Sequence, residues 1–290
     1  MNEMIFERCE EMIKKGSTSF YHAFYGLPSP RREAVFVIYA FCRIIDDSVD
    51  EPEKAPYSIH ELREQLHELE KAEGHFIWPA LRWLFDTFPM LSKAPFFRQM
   101  DGQLSDLTLT QYSTVDELEH YCYLVAGTVG EMLLPVLRDD SGIKVMESGI
   151  ALGKAMQIVN IIRDVGEDQR RGRRYLPLEM MKAHGYTEED FHNEIIDERF
   201  VSLLTELRKM ALKWFEIGLS DIGTYPQVSG FAIELASSYY ASILHAVESN
   251  EYDVFTKRAY VDDETKMHLF LEVASRYPAL LGEGPKAAVS

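Results

Sequence analysis

The stretch V35-F-V-I-Y-A-F-C-R-I-I-D-D-S-V-D50 decides the fold. Val35, Ile38, Phe41, Cys42 and Ile45 recur at steps of three and four, the period of a buried helical face. On the same segment Tyr39, Arg43, Asp46 and Asp50 fall within about 80° of one another when each residue turns the chain by ~100°. A helix with an acidic stripe at its carboxyl end is therefore expected. The same construction places Gln157, Asn160, Asp164 and Asp168 within about 80°, opposite Leu152, Ala155, Met156, Val159 and Ile162, so two helices carry matching stripes. Similar apolar periodicity runs along almost the whole chain, and no alternating β-branched segment is bounded by an Asn-Gly or Asp-Gly turn. The fold class read from this is all-α.

The chain has 290 residues, 46% hydrophobic and 27% charged, which excludes collagenous, low-complexity and disordered classes and allows a sizeable core. A single domain spanning 1–290 is expected, because no linker divides the chain. Turn-like Pro, Gly and Asp residues mark breaks at Leu27 to Pro30, Glu51 to Pro56, Phe88 to Pro95, Asp139 to Gly142, Gly172 to Pro177 and Tyr225 to Gly230. The tail from about 281, LGEGPKAAVS, is expected to fray. Thirty basic and 47 acidic residues give a net charge of −17, which opposes binding to a phosphate backbone, so no nucleic-acid partner is expected. Cys9, Cys42 and Cys122 form no CxxC and suggest neither a disulfide framework nor zinc, consistent with a reducing cytoplasm. The first sixteen residues mix acids into apolar positions and lack a signal-peptide core. No run approaches the roughly 18 apolar residues of a spanning helix.

A solvated helix face would more often alternate in sign. Like charges at i, i+4 destabilise a helix by about 0.2–0.5 kcal/mol per pair, and the pairs here coincide with bulky groups lower on the first stripe and with Gly149 and Gly153 lower on the second. That pattern points to a groove with a polar mouth. Carboxylates and an amide so arranged suit Mg²⁺, a hard ion that takes oxygen ligands and is usually held by one or two carboxylates plus substrate phosphates. There is no EF-hand loop for calcium and no Cys or His cluster for zinc; the nine histidines have no ligand spacing.

DDSVD (46–50), AGTVGEMLLPVL (126–137), QIVNIIRDVGEDQRRGRRYLP (157–177) and YDVFTKRAYV (252–261) together resemble the squalene/phytoene synthase family, over nearly the whole chain from the GSTSF segment at 16–20 to Arg258. Among its members the chain is most similar to the bacterial dehydrosqualene (4,4′-diapophytoene) synthases of C30 carotenoid biosynthesis. The resemblance implies an isoprenoid synthase fold, with helices around a hydrophobic cavity, and two or three Mg²⁺ ions bound with substrate diphosphate by Asp46, Asp50, Asn160, Asp164 and Asp168. It implies prenyl diphosphate contacts at Gly16, Ser17, Thr18, Ser19, Tyr39, Arg43, Gln157, Arg163, Tyr240 and Arg258. Relatives often carry Lys where Thr18 stands; Lys14 and Lys15 lie close by as substitutes.

The implied reaction joins two farnesyl diphosphates head to head through presqualene diphosphate to dehydrosqualene, with no NADPH. Its carbocations need a water-free enclosure. Tyr121, Val125, Val129 and Leu133 recur every four residues and are expected to line it, with the Tyr121 ring facing a cation. Gly127 and Gly130 on the same helix each cost ~1 kcal/mol relative to Ala, a sign of close approach by backbone or ligand. Phe36 lies ten residues before Asp46, roughly 15 Å along a helix, and with Phe24 is expected to close the floor at the length of a C15 tail. The run Arg170, Arg171, Arg173, Arg174 is expected either to hold the second acidic helix closed or to be a solvated turn. The rivals are a phytoene synthase using two C20 substrates, an NADPH-dependent squalene synthase, and a non-catalytic lipid-binding or assembly homologue. So apolar a product implies transient contact with a membrane or a membrane-bound desaturase on release.

Overall fold

A computed structural model describes residues 3–108, 110–138 and 145–281. The expected break at Asp139 to Gly142 and the tail beyond Leu281 lie outside the described residues. The elements are α-helical in chain order: α1 (Glu3–Gly16), α2 (Thr18–Phe24), α3 (Arg31–Asp50), α4 (Ile59–His67), α5 (Ile77–Thr87), α6 (Ala94–Ser105), α7 (Val115–Cys122) and α8 (Thr128–Leu137). Then follow α9 (Met146–Arg163), α10 (Val165–Arg170), α11 (Leu178–Ala183), α12 (Glu188–His192), α13 (Glu198–Leu219), α14 (Gln227–Ser249), α15 (Asp263–Ser275) and α16 (Pro278–Leu281). Among the described residues the one β-type pairing outside this all-α frame is an isolated bridge between Gln111 and Arg174.

The two striped helices form the middle of the molecule. α9 packs against α13, α8 and α14 and buries Leu152, Ala155, Ile158, Val159 and Ile162. α3 packs against α1, α5, α6 and α8, with Val35, Ile38, Phe41 and Ile45 almost inaccessible to solvent. α3 stops where the sequence predicts: Glu51 precedes Pro52, whose ring disfavours helical geometry in the residue before it, and Glu51 has left the helix at φ −135°.

α8 and α9 approach backbone to backbone. A Cβ at Gly130 would overlap the Gly149 carbonyl, and one at Gly153 would overlap the Ala126 carbonyl. The glycine gaps read on the second stripe are thus filled in part by a neighbouring helix. The segment from α7 to α8 runs as one continuous helix, but Tyr123–Gly127 takes a π turn, a widening frequent at functional sites. Val115–Leu137 is also long and apolar enough to span a membrane by length and composition, contrary to the sequence expectation. Here it is a core helix, with Leu118, Cys122, Met132 and Val136 fully buried.

Candidate active site

A cavity of about 380 Å³ opens between the carboxyl ends of α3 and α9 and runs inward among α2, α3, α6, α8, α9 and α14. Its mouth is lined by Asp46, Asp50, Asn160, Asp164, Glu167 and Asp168, and its depth by Phe20, Phe24, Val35, Ile38, Val125, Leu133, Leu137, Tyr225 and Ile233. The two acidic stripes thus face one another, as the helical arithmetic requires. One difference is local. α9 ends at Arg163, Asp164 caps it at φ −103°, and α10 begins at Val165, so the second stripe spans a bend and not a single helix. Gly166 sets the bend: its N–H donates to the Val254 carbonyl at 3.2 Å, and it packs against the Phe255 backbone with no room for a side chain. The amides of Asp164 and Asp168 still donate to the carbonyls four residues earlier, both at 2.9 Å, which keeps the stripe in register.

Four of the mouth carboxylates, Asp46, Asp50, Asp164 and Glu167, have a nitrogen partner. The Gln103 amide donates to Asp46 at 2.6 Å, Arg171 and Arg173 donate to Asp50 at 2.9 and 2.8 Å, and Arg163 chelates Asp164, with one contact at 2.8 Å. Arg258 reaches Asp164 at 3.3 Å and Glu167 at 2.7 Å, while Arg43 pairs with Asp47 at 2.6 Å. The arginine run is therefore a clasp: Arg171 and Arg173 follow the second stripe and bind the end of the first, while Arg174, 5% exposed, is anchored to Glu188. Burial pushes the Asp46 carboxyl up to about 7 against the pull of Arg43, with Asp50 and Asp47 adding to the rise. Asp168 also lies at about 7, raised by burial and then by Asp164.

These groups fit magnesium. Asn160 Oδ1 is buried at the mouth without a hydrogen-bond partner among the described residues, an orphan acceptor such as a hard cation would satisfy. Among the described residues no three acidic, His or Cys side chains converge as a ready-made cage. A site completed by substrate phosphates needs none.

The structure brings Phe24, Tyr39, Arg43, Tyr121, Val125, Val129, Leu133, Gln157, Arg163 and Tyr240 to the cavity wall. Arg258 stands on the rim, 59% exposed, joined to the site through Asp164. The amino-terminal segment lies behind this wall. A side chain at Gly16 would collide with the Tyr39 hydroxyl, Ser17 caps α2 through the Phe20 amide and hydrogen-bonds Tyr240, and Ser19 is half-buried on α2. The expected substitutes for the missing lysine are engaged elsewhere, Lys14 with Glu10 at 2.6 Å and exposed Lys15 with Glu11 at 3.9 Å. Lys266 of α15 donates to Thr18 Oγ1 at 3.2 Å. Phe36 does not line the cavity. The Tyr21 ring of α2 packs over Phe36, centroids 5.9 Å apart, so the aromatic end is made by Phe24 with Phe20, 4.8 Å apart.

α6 contributes what the sequence reading passed over. Gln99, Gln103 and Asp106 reach the cavity from one flank. Asp106, 6% exposed, accepts from the hydroxyls of Tyr121 at 2.8 Å and Tyr175 at 2.9 Å, whose rings stack 5.0 Å apart. Burial raises the Asp106 carboxyl and, more strongly, the Tyr121 phenol, so Tyr121 faces the cavity as a neutral ring held by a hydrogen bond. The recurrence of polar residues at i, i+4 and i+7 was the available signal.

An all-α shell around a deep cavity with apolar walls, with two carboxylate-bearing helix ends across its mouth, is the isoprenoid synthase fold. The family model described as squalene/phytoene synthase matches residues 13–265, and the chain belongs to that family, whose members are prenyltransferases condensing isoprenyl diphosphates. It is 38% identical over 278 residues to a phytoene synthase of Arthrospira platensis, covering 90% of each chain, and 36% identical to a 15-cis-phytoene synthase of Synechocystis, covering 94% of this chain and 85% of that one. A crystal structure of a dehydrosqualene synthase in complex with ligand superposes with a TM-score of 0.89 at 35% identity, covering 96% of this chain and 98% of that one.

Proposed function

We propose that the chain condenses two farnesyl diphosphates head to head, through presqualene diphosphate, to dehydrosqualene, with magnesium and without NADPH. The observation that carries the reading is the pairing of a polar mouth, with its orphan Asn160 oxygen and its ring of carboxylates and arginines, to an apolar cavity ended by Phe20 and Phe24. Asp46, Asp50, Asn160, Asp164 and Asp168 would hold magnesium, which would supply positive charge to a leaving diphosphate. Arg43, Arg163, Arg173 and Arg258 supply further charge at the same place: a unit-charge pair at 4 Å is worth about 4 kcal/mol at an effective dielectric constant of ~20. The C1–O bond of one substrate breaks and diphosphate departs. The C2–C3 double bond of the second substrate captures the allylic cation, and proton loss closes the cyclopropane. A second C1–O cleavage, rearrangement and a final proton loss give the C30 triene core. The walls at Val125, Val129, Leu133 and Phe24 keep water from the cations, and Tyr121 presents its ring to them. So apolar a hydrocarbon is received by a bilayer or a membrane-bound desaturase.

A phytoene synthase reading, with two geranylgeranyl diphosphates, is favoured by the names of the curated relatives and by Phe36 lying outside the cavity wall. Mass spectrometry of products from each substrate with Mg²⁺, with and without NADPH, decides between them. A C30 product from farnesyl diphosphate alone supports the first reading; C40 phytoene from the C20 substrate alone overturns it in favour of the second.

A further inference from the structure

Gln99 is 2% exposed and lines the cavity, yet its side-chain oxygen has no hydrogen-bond partner among the described residues. Its neighbours on α6, Phe96 and Met100, are ordinary fully buried core residues. The Gln99 side chain meets the thiol of Cys42 on α3. The level of this contact is set by two helices at once: Gln99 lies one turn below Gln103 and Cys42 one turn below Asp46, and Gln103 and Asp46 are themselves joined at 2.6 Å. Gln99 therefore stands about 6 Å beneath Gln103 and the mouth carboxylate that Gln103 holds, the level at which the first isoprene unit of a bound prenyl diphosphate must lie.

We infer that the Gln99 side-chain oxygen is a catalytic group, a fixed negative dipole end that stabilises the allylic and cyclopropylcarbinyl cations; this rests on the head-to-head reading above. A buried acceptor without a donor destabilises a fold. In a low-dielectric cavity the same oxygen, held by the Cys42 contact and needing no reorganisation, attracts a cation more strongly than it could in water. An amide suits the task better than other polar groups. A carboxylate would be a nucleophile to a carbocation and a hydroxyl would trap it as an ether, whereas an amide oxygen is neutral and weakly nucleophilic.

The test uses the full chain with Gln99→Leu and Gln99→Met, assayed with Mg²⁺ and whichever prenyl diphosphate the wild type turns over. The account expects kcat to fall about 100-fold with KM within about twofold, cyclopropyl diphosphate intermediate to accumulate relative to hydrocarbon, and Tm to rise by about 2–4 °C because an unpaired buried acceptor has gone. Wild-type kcat in both variants overturns the inference, as does a joint fall of kcat and Tm in both, which marks a structural role. A wild type that forms no condensed product from either substrate overturns the head-to-head reading, and the inference with it.

Discussion

The mouth and the floor of the cavity are built from different kinds of information. At the mouth, charge is repeated at helical spacing on two helices, and a repeated charge on a buried face has few explanations. At the floor, Phe20, Phe24, Phe36, Ile38 and Val35 are all plausible core residues, and only what packs over each of them separates wall from packing. The lesson is that chemistry is written in residue type, whereas substrate length is written in geometry. Arginine partners at Asp50, Asp164 and Glu167 show the second half of this: unlike the floor, the mouth is held by specific pairs that substitution can open one at a time.

The contrast breaks most visibly at the mouth. Asp50→Asn and Asp164→Asn are expected to lower turnover by about 10³-fold each with Tm changed little, as read by steady-state kinetics and thermal denaturation; retention of a tenth of the activity in either would place the charge chemistry elsewhere. Tyr121→Phe removes the hydroxyl that binds Asp106 and leaves the ring. It should reduce hydrocarbon yield about tenfold while first-step cyclopropyl intermediate is formed and accumulates; an unchanged ratio of intermediate to product would remove Tyr121 from the later steps. At the floor, Phe24→Ala is expected to raise the ratio of C20 to C15 use about tenfold, the scale of a one-contact pocket change. Phe36→Ala should instead destabilise the protein by about 3–5 kcal/mol, as for a core phenylalanine, with less effect on that ratio. The reverse order in a product assay would return Phe36 to the pocket wall.

The smallest effect is on pH dependence. Asp46 and Asp168 sit at about 7 in the fold against an ordinary 3.8. Below about pH 4 each is neutral whether folded or unfolded, and its contribution to stability is complete. Between about 4 and 7 the unfolded chain ionises while the fold holds the proton, so that contribution falls, and above about 7 it is lost. In the absence of metal, the Tm difference between Asp46→Asn and wild type should therefore widen in favour of the variant by a few degrees from pH 5 to pH 8, and Mg²⁺ with pyrophosphate should narrow it. A difference independent of pH would mean that Asp46 ionises normally.

How much was legible follows the same division. The all-α class and both stripes came from periodicity, and the wall residues Tyr121, Val125, Val129 and Leu133 were picked from four-residue spacing although a π turn interrupts their helix. Asp106, Gln103 and Gln99 were passed over because one polar stripe on a short helix reads as a solvated face until a neighbour covers it. Phe36 reads as floor from its place along the first stripe, but the Tyr21 ring of α2 covers it, which the α3 sequence alone does not reveal. Lys266 could not have been found by spacing, since it meets Thr18 from 248 residues away.

The most direct test of the central claim, that two facing stripes hold a magnesium diphosphate over an apolar cavity, is calorimetric titration of the purified protein with a non-ionising farnesyl thiodiphosphate, with Mg²⁺ and with chelator, alongside Asp50→Asn and Asp164→Asn. The account predicts binding that requires Mg²⁺ and is lost in each variant. Binding of equal strength in chelator, or in both variants with Mg²⁺, would contradict it.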